Sequence, residues 1–366
     1  MKRNTTIDLL RIIAILFITT WHSFLFSSYG LRIDVRLQEM INENCFFTFG
    51  LCSVSNFLII GVNLFFLISG YCRIKFSVRK IVLLMTETMA VYILFAILAI
   101  ILGEIKFSIK WLADCIFCVR KYWYVNVYIL LILFSPALNL LIDTWDFTKA
   151  TVASLIFIFL SGVLYFVFPL PETGINSGYS IVSAGGLYFI GGVLKKHSKK
   201  IQEKSVVLCK WGGRMYSVAL LILVVLILLS QFFAVAILKN AKISWKLFSY
   251  NNILVMLFSI CFFIAFLKIR IKENSIFEKA ITLLYPSVFI IYVAQSCGFE
   301  FMKHFRSILI DYFANKFGLT FSTVFIIPNT VIVCSVLFIF YEIFNFLFKL
   351  FFSILDISFI KKTSGL

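Results

Sequence analysis

Ten stretches of this chain are long and apolar enough to cross a lipid bilayer, and that feature limits what it can fold into more than any other. A span needs about 17–25 mostly apolar residues. Such runs lie near residues 8–29, 46–72, 81–103, 122–142, 150–170, 179–194, 215–238, 250–268, 280–299 and 321–350. Across all 366 residues, 61% are hydrophobic and only 14% are charged. A soluble core of this length cannot hide that much apolar surface, whereas lipid accepts it. In lipid every backbone polar group needs an internal partner, and ten helices satisfy that within themselves. The expected fold is therefore all-α: a polytopic integral membrane protein with about ten transmembrane helices. It divides into a transmembrane domain over 1–350 and a short tail over 351–366.

Charge placement sets the expected orientation. With the N-terminus inside, 21 of the 34 Lys and Arg fall in inner segments and 12 in outer ones, Arg11 lying within the first span. That excess places both termini in the cytoplasm. The net charge of +17 is broken into short runs between apolar segments. Nucleic-acid binding needs a continuous basic stripe instead, so the expected partner is membrane lipid and not nucleic acid. The first run follows Lys2 and Arg3 as a leader peptide does. It also contains Asp8, Arg11 and His22, and is read as a retained span. Cys115 and Cys118 have a CxxC spacing without further ligands nearby. They are read as ordinary thiols or a local disulfide, and no metal site is expected.

Ionisable residues inside a span cost about 2.5–3.5 kcal/mol each on insertion scales, so each calls for a reason. Asp8 and Arg11 are three residues apart and meet on one helix face. From Arg11 to His22 is eleven steps of about 100°, roughly three turns plus 20°, so these two share that face about 16 Å apart. Taken singly, Arg11 reads as a snorkelling interfacial arginine and His22 as a packed core histidine. Sharing one stripe with Asp8 favours a functional set. Glu87 and Glu342 are candidate buried partners for Arg11. His197 and His304 fall in loops and are expected to be solvated. The paired glycines Gly185-Gly186 and Gly191-Gly192 read as close helix contacts. No Gly-x-Ser-x-Gly elbow, His-Glu-x-x-His or P-loop occurs, so hydrolase, zinc-protease and nucleotide-pump readings lack their chemistry.

Five stretches, in order, resemble one family. Ile7-Asp8-Leu9-Leu10-Arg11 with His22 resembles the Arg-x10-His opening of the acyltransferase-3 family of membrane O-acyltransferases. Asn63-Leu64-Phe65-Phe66-Leu67-Ile68-Ser69-Gly70-Tyr71 resembles the end of that family's second span. Lys121-Tyr122-Trp123-Tyr124, with Tyr128 and Pro136, resembles its Trp-Tyr segment. Gly178-Tyr179-Ser180 with Tyr188-Phe189-Ile190-Gly191-Gly192 resembles its sixth span. Tyr285-Pro286-Ser287-Val288-Phe289-Ile290-Ile291-Tyr292 resembles its Ser-x-x-x-Phe-x-Ile-Tyr segment. The chain departs in two places. Arg79-Lys80 is followed by Val82 and Leu83 where a second arginine of an Arg-x-x-Arg pair is usual, and Val293-Ala294-Gln295 stands where many members have a histidine.

The resemblance implies an O-acetyltransferase with acetyl-CoA as co-substrate and no metal. The acceptor would be a hydroxyl of a surface polysaccharide or lipid-linked glycan, part of the exopolysaccharide of a bacterial cell envelope. The protein would sit in the bacterial cytoplasmic membrane as a multi-pass enzyme. His22, Arg11 and Asp8 would be catalytic. Arg79, Lys80, Arg73 and Ser69 would bind the donor. Trp123, Tyr124, Tyr128 and Asn63 would bind the acceptor, the three aromatics reading otherwise as an interfacial belt. The residues fit the chemistry on their own terms. Acyl transfer to a hydroxyl needs a base, His22 is the histidine within a span, and inner Arg and Lys suit a polyanionic donor. The alternative is a transporter or flippase of lipid-linked saccharide. It would favour internal repeats or matched broken helices, and neither is seen.

Overall fold

The structure is a computed structural model that describes residues 4–25, 33–164, 176–198 and 214–354. Among these residues every regular element is helical. The tail from 355 onward and Lys199, Lys200, Lys204 and Lys210 of the basic inner loop lie outside them. The described parts of all ten apolar runs fall on helices. Seven of these helices are long and apolar enough to cross a membrane. Runs five, six and eight form shorter helices, Phe147–Ile158 with a wider turn to Leu164, Ile181–Lys196 and Ile253–Phe266. Among the described residues, seven helices thus meet the length and composition of a span, against the ten expected.

The helices that build the site are α1 (Thr5–Leu25), α2 (Cys45–Leu58), α3 (Ile60–Tyr71), α4 (Val78–Ile101), α5 (Trp123–Thr144), α6 (Phe147–Ile158), α7 (Ile181–Lys196), α8 (Ile253–Phe266), α9 (Ile276–Leu284), α10 (Val288–Gln295), α11 (Glu300–Arg306) and α12 (Ile326–Ile354). Their starts follow local chemistry. Side chains of Asn44, Ser77, Asp146, Ser180, Asn252 and Ser275 each accept from a backbone N–H in the first turn, covering groups the helix itself leaves open. α9 and α10 are one apolar run broken by a tight turn at Tyr285-Pro286-Ser287, where proline removes a helical donor.

α3 is the central rod, with almost every residue from Ile60 to Gly70 buried. Small residues let its neighbours come that close. A Cβ on Gly61 would lie 2.6 Å from the Ala14 carbonyl of α1. One on Gly70 would lie 1.8 Å from the Tyr188 carbonyl of α7, and one on Gly191 would lie 2.2 Å from the Leu67 carbonyl. Gly186 is covered by the Phe157 ring of α6, so both glycine pairs make helix contacts as expected. The charges cluster at one end of this core. Arg73 bonds Asn139 and pairs with Asp143, and Lys196 donates to the carbonyls of Ile142, Asp143 and Trp145 at the end of α5.

Gly70→Ala drives a methyl into the α7 backbone and is expected to destabilise by about 3 kcal/mol or more. Gly50→Ala, in α2 with nothing within 4 Å of its Cβ, is expected to be neutral or mildly stabilising. Thermal unfolding in detergent checks this pair. Equal melting temperatures would contradict the close approach of α3 and α7.

Candidate active site

Asp8 and Arg11 form the first anchor. The Asp8 carboxylate is buried, and Arg11 Nη1 meets its Oδ1 at 2.7 Å. The pair follows from helical spacing alone, and it gives a buried carboxylate a cationic partner. Arg11 Nη2 lies 3.9 Å from Cys72 Sγ at the end of α3.

Arg11 then opens onto a cavity of about 380 Å³. α1 contributes Arg11 and Ile18 to its wall, and α3 contributes Val62, Phe65, Ile68, Ser69 and Cys72. Glu87 of α4 and Tyr124 and Tyr128 of α5 face it, and the broken α9–α10 segment closes it with Tyr285, Pro286, Phe289 and Tyr292. A smaller space of about 160 Å³ adjoins it, sharing Ile74, Leu84, Glu87 and Tyr128 and adding Lys75 and Lys80. The chamber is thus cationic around Arg11, Lys75 and Lys80, and apolar and aromatic farther in. Pockets of a few hundred Å³ with a few placed polar groups are the usual form of a small-molecule site.

An aromatic layer ends the cavity. Tyr124 stacks on Phe66 at 5.2 Å and on Tyr128 at 5.9 Å, and meets Tyr292 edge-on at 5.3 Å between centroids. His22 lies just past this layer. Ile18 and His22 are four apart on α1, and Tyr292 and Gln295 are three apart on α10, so both helices carry the wall in one turn and the next group in the following turn. His22 keeps accessible surface, while Trp21 and Ser23 on either side are buried. The Gln295 carboxamide is within hydrogen-bonding reach of the imidazole, and Arg306 is within Coulombic range of it.

The structure therefore brings Arg11, Ser69, Tyr124 and Tyr128 to one cavity, with Lys80 in the adjoining space and Asp8 behind Arg11; His22 lines neither space and sits one turn beyond Ile18 on the same face of α1. Ser69 donates to the Phe65 carbonyl at 2.8 Å, one turn earlier on α3. Four expected site residues lie elsewhere. Arg73 is held by Asn139 and Asp143. Asn63 donates to the Tyr250 carbonyl at 2.9 Å and to Ser259 at 3.2 Å. Trp123 stacks on Tyr250 and packs against Tyr179, one residue and about 100° round α5 from Tyr124. Arg79, beside Lys80 on the first turn of α4, lines neither space.

Three other expectations need correction or completion. Glu342 is exposed on α12 and cannot be the buried partner of Arg11, whose carboxylate partner is Asp8. Glu87 lines the cavity that Arg11 lines. His197 is not solvated, being buried at the end of α7 with its ring 5.4 Å from that of Phe147. Cys115 and Cys118 are free thiols. Gln295 and Arg306 escaped the sequence reading. Gln295 registered only as the place where a histidine is usual, and Arg306 reads as one more outer-loop cation.

An acyltransferase-domain family profile, acyltransferase-3, matches residues 4–352, nearly the whole chain. The chain belongs to the acyltransferase-3 family. It is a multi-pass membrane acyltransferase, and membership gives no support to the flippase alternative. No curated protein and no solved structure was found to match the chain. Of the opening stretch that resembles the family's, Arg11 lines the cavity and His22 lies farther along the same helix face. The motif from Tyr285 to Tyr292 supplies the broken helix that closes the cavity.

Removing Arg11 takes an ion-pair partner away from a buried carboxylate. Arg11→Ala is expected to destabilise by about 3 kcal/mol as well as to reduce turnover. Adding Asp8→Asn to it should restore much of the stability and none of the activity. Thermal unfolding and acyl transfer measured on the same preparations separate the two effects. A double variant as unstable as Arg11→Ala alone would contradict the pairing.

Proposed function

We propose that this acyltransferase moves an acetyl group from acetyl-CoA to a hydroxyl of a surface polysaccharide or lipid-linked glycan, in the bacterial cytoplasmic membrane. One observation carries the reading: a cavity with a cationic end at Arg11, Lys75 and Lys80 runs along the α1 face that ends in His22. Coenzyme A is a polyanion with a long, flexible, weakly polar arm. Its phosphates suit the cationic end, and the arm suits the lining of Phe65, Ile68 and Tyr128. Arg11 and His22 are about 16 Å apart along the axis, a separation suited to a donor held by its charged end with its thioester toward the histidine. Lys80 and Ser69 are placed for donor contact, and Tyr124 and Tyr128 line the path of the arm. Arg73, Arg79, Trp123 and Asn63 act, in this reading, by holding the surrounding helices.

The transfer balances without a further reactant. The His22 imidazole takes the proton of the acceptor hydroxyl while its oxygen bonds to the thioester carbonyl carbon. The carbon–sulfur bond breaks, the sulfur takes the proton back from the imidazolium, and free coenzyme A leaves. In this reading the charge bias puts Arg11 and Lys80 on the cytoplasmic side, where the donor is made, with both termini inside. His22 then lies in the outer half, toward the acceptor.

Sealed vesicles supplied with acetyl-CoA on the cytoplasmic face and native glycan on the other test the reading. Wild type should acetylate the glycan only when the donor is on that face. His22→Ala should lower transfer by about 10²–10⁴-fold, the usual contribution of a general base, with donor binding retained. Wild-type transfer by His22→Ala would sink the mechanism.

A further inference from the structure

The histidine end of α1 is locked by groups distant in sequence. Ser23, next to His22, donates to the Arg306 carbonyl at 2.7 Å. Asn329 of α12 donates to the same carbonyl at 2.7 Å and to Ser23 at 3.2 Å, and its side-chain oxygen accepts from the Leu309 N–H at 3.0 Å. The Arg306 guanidinium in turn donates to the backbone carbonyl of Gln295. Ser23, Gln295 and Asn329 have no exposed surface, and Arg306 keeps 2%. Gln295 thus binds Arg306 through its backbone. Its buried carboxamide lies near His22 and makes no hydrogen bond among the described residues, nor does the imidazole Nδ1, so a small rotation of either group is enough to join them.

A cation in so dry a place is costly, and its position beside an imidazole has a consequence for acid–base chemistry. We propose that Gln295 and Arg306 are positioning residues that hold His22 as a neutral base, Gln295 orienting the ring and Arg306 opposing its protonation. The proposal rests on the reading of His22 as the base. A carboxamide offers both a donor and an acceptor, so it can fix the tautomer without becoming charged. The fixed positive charge makes an imidazolium unfavourable. The proton gained from the acceptor hydroxyl is then passed on to the leaving sulfur more readily. Burial lowers the Arg306 guanidinium to about 10, and it remains charged at neutral pH.

The other titratable groups near this end do not supply an opposing charge to the ring. Cys297, between α10 and α11, is pushed up to about 11 by burial and is a neutral thiol. Cys334 of α12 bonds Thr19, Tyr292 is a phenol, and Glu300 acts on Arg306. The buried Asp311 carboxylate, five residues on from Arg306, accepts from Ser307 Oγ at 2.6 Å and is not among the groups that act on the ring. From α2 and α3, Cys52 is held by Ser244 and Cys72 lies at the Arg11 end.

The test is the pH dependence of acetyl transfer from labelled acetyl-CoA into native membrane glycan. Arg306→Gln keeps a donor for the Gln295 carbonyl but removes the charge. Its acid limb should move up by on the order of one pH unit, the effect of a full charge nearby in a protein interior. Arg306→Lys should leave the limb where wild type has it. Gln295→Glu, nearly isosteric, sets a carboxylate against the ring and should also move the limb upward; it decides the matter if Arg306→Gln does not fold. Unshifted limbs in these variants, with His22→Ala inactive, would overturn this inference and leave the base reading standing. Transfer by His22→Ala would overturn both.

Discussion

An arginine sits inside this apolar bundle because an aspartate lies one helical turn before it. The Asp8–Arg11 pair is formed within α1 by spacing alone and needs no other helix to exist. Once formed, it places a guanidinium at one end of a helix face whose other end carries His22. Everything else at the site is arranged around that face. α3 approaches it closely because Gly61 has no side chain, and α3 is held in turn by α7 through Gly70 and Gly191. The cavity is what remains where the broken α9–α10 segment and α5 do not close on that face.

The two ends of the face serve different chemistry. Around Arg11 are Lys75, Lys80 and the polar rim of the bundle, a setting for an anionic ligand. Around His22 the polar groups are buried and bonded to one another through Ser23, Asn329, Arg306 and Gln295. Buried networks of this kind are rigid when satisfied. The Tyr124–Tyr292 layer between the two ends is made of rings in edge contact, without a covalent or ionic tie. A donor arm reaching His22 has to pass or displace it.

Much of this was legible in the residues, for reasons that can be named. Apolar run length located all ten helices, and helical spacing put Asp8, Arg11 and His22 on one face. The break at Pro286 follows from proline, whereas the break between α2 and α3 at Ile59 carries no local signal. Run eight, 250–268, forms the shorter helix Ile253–Phe266, and run five is helical as far as its described residues go, to Leu164. Among the neighbours of the site, periodicity could not say that Tyr124 faces the cavity while Trp123 faces Tyr250. Nor could it say that Asn63 and Arg73 are occupied by bonds to other helices, because those bonds come from distant segments. Gln295 and Arg306 were hidden for the same reason. Their role exists only where α10 and α11 meet the end of α1.

The central claim is that the donor lies along the α1 face, its charged end near Arg11 and its acyl group near His22. A structure of the protein bound to a non-transferable thioether analogue of acetyl-CoA tests it most directly. The account predicts phosphates beside Lys75, Lys80 and Arg11, the arm between Phe65 and Tyr128, and the acyl carbon past a displaced Tyr124–Tyr292 pair, at His22. An analogue seated outside this cavity, or one whose acyl carbon stops short of an intact tyrosine layer, would contradict it.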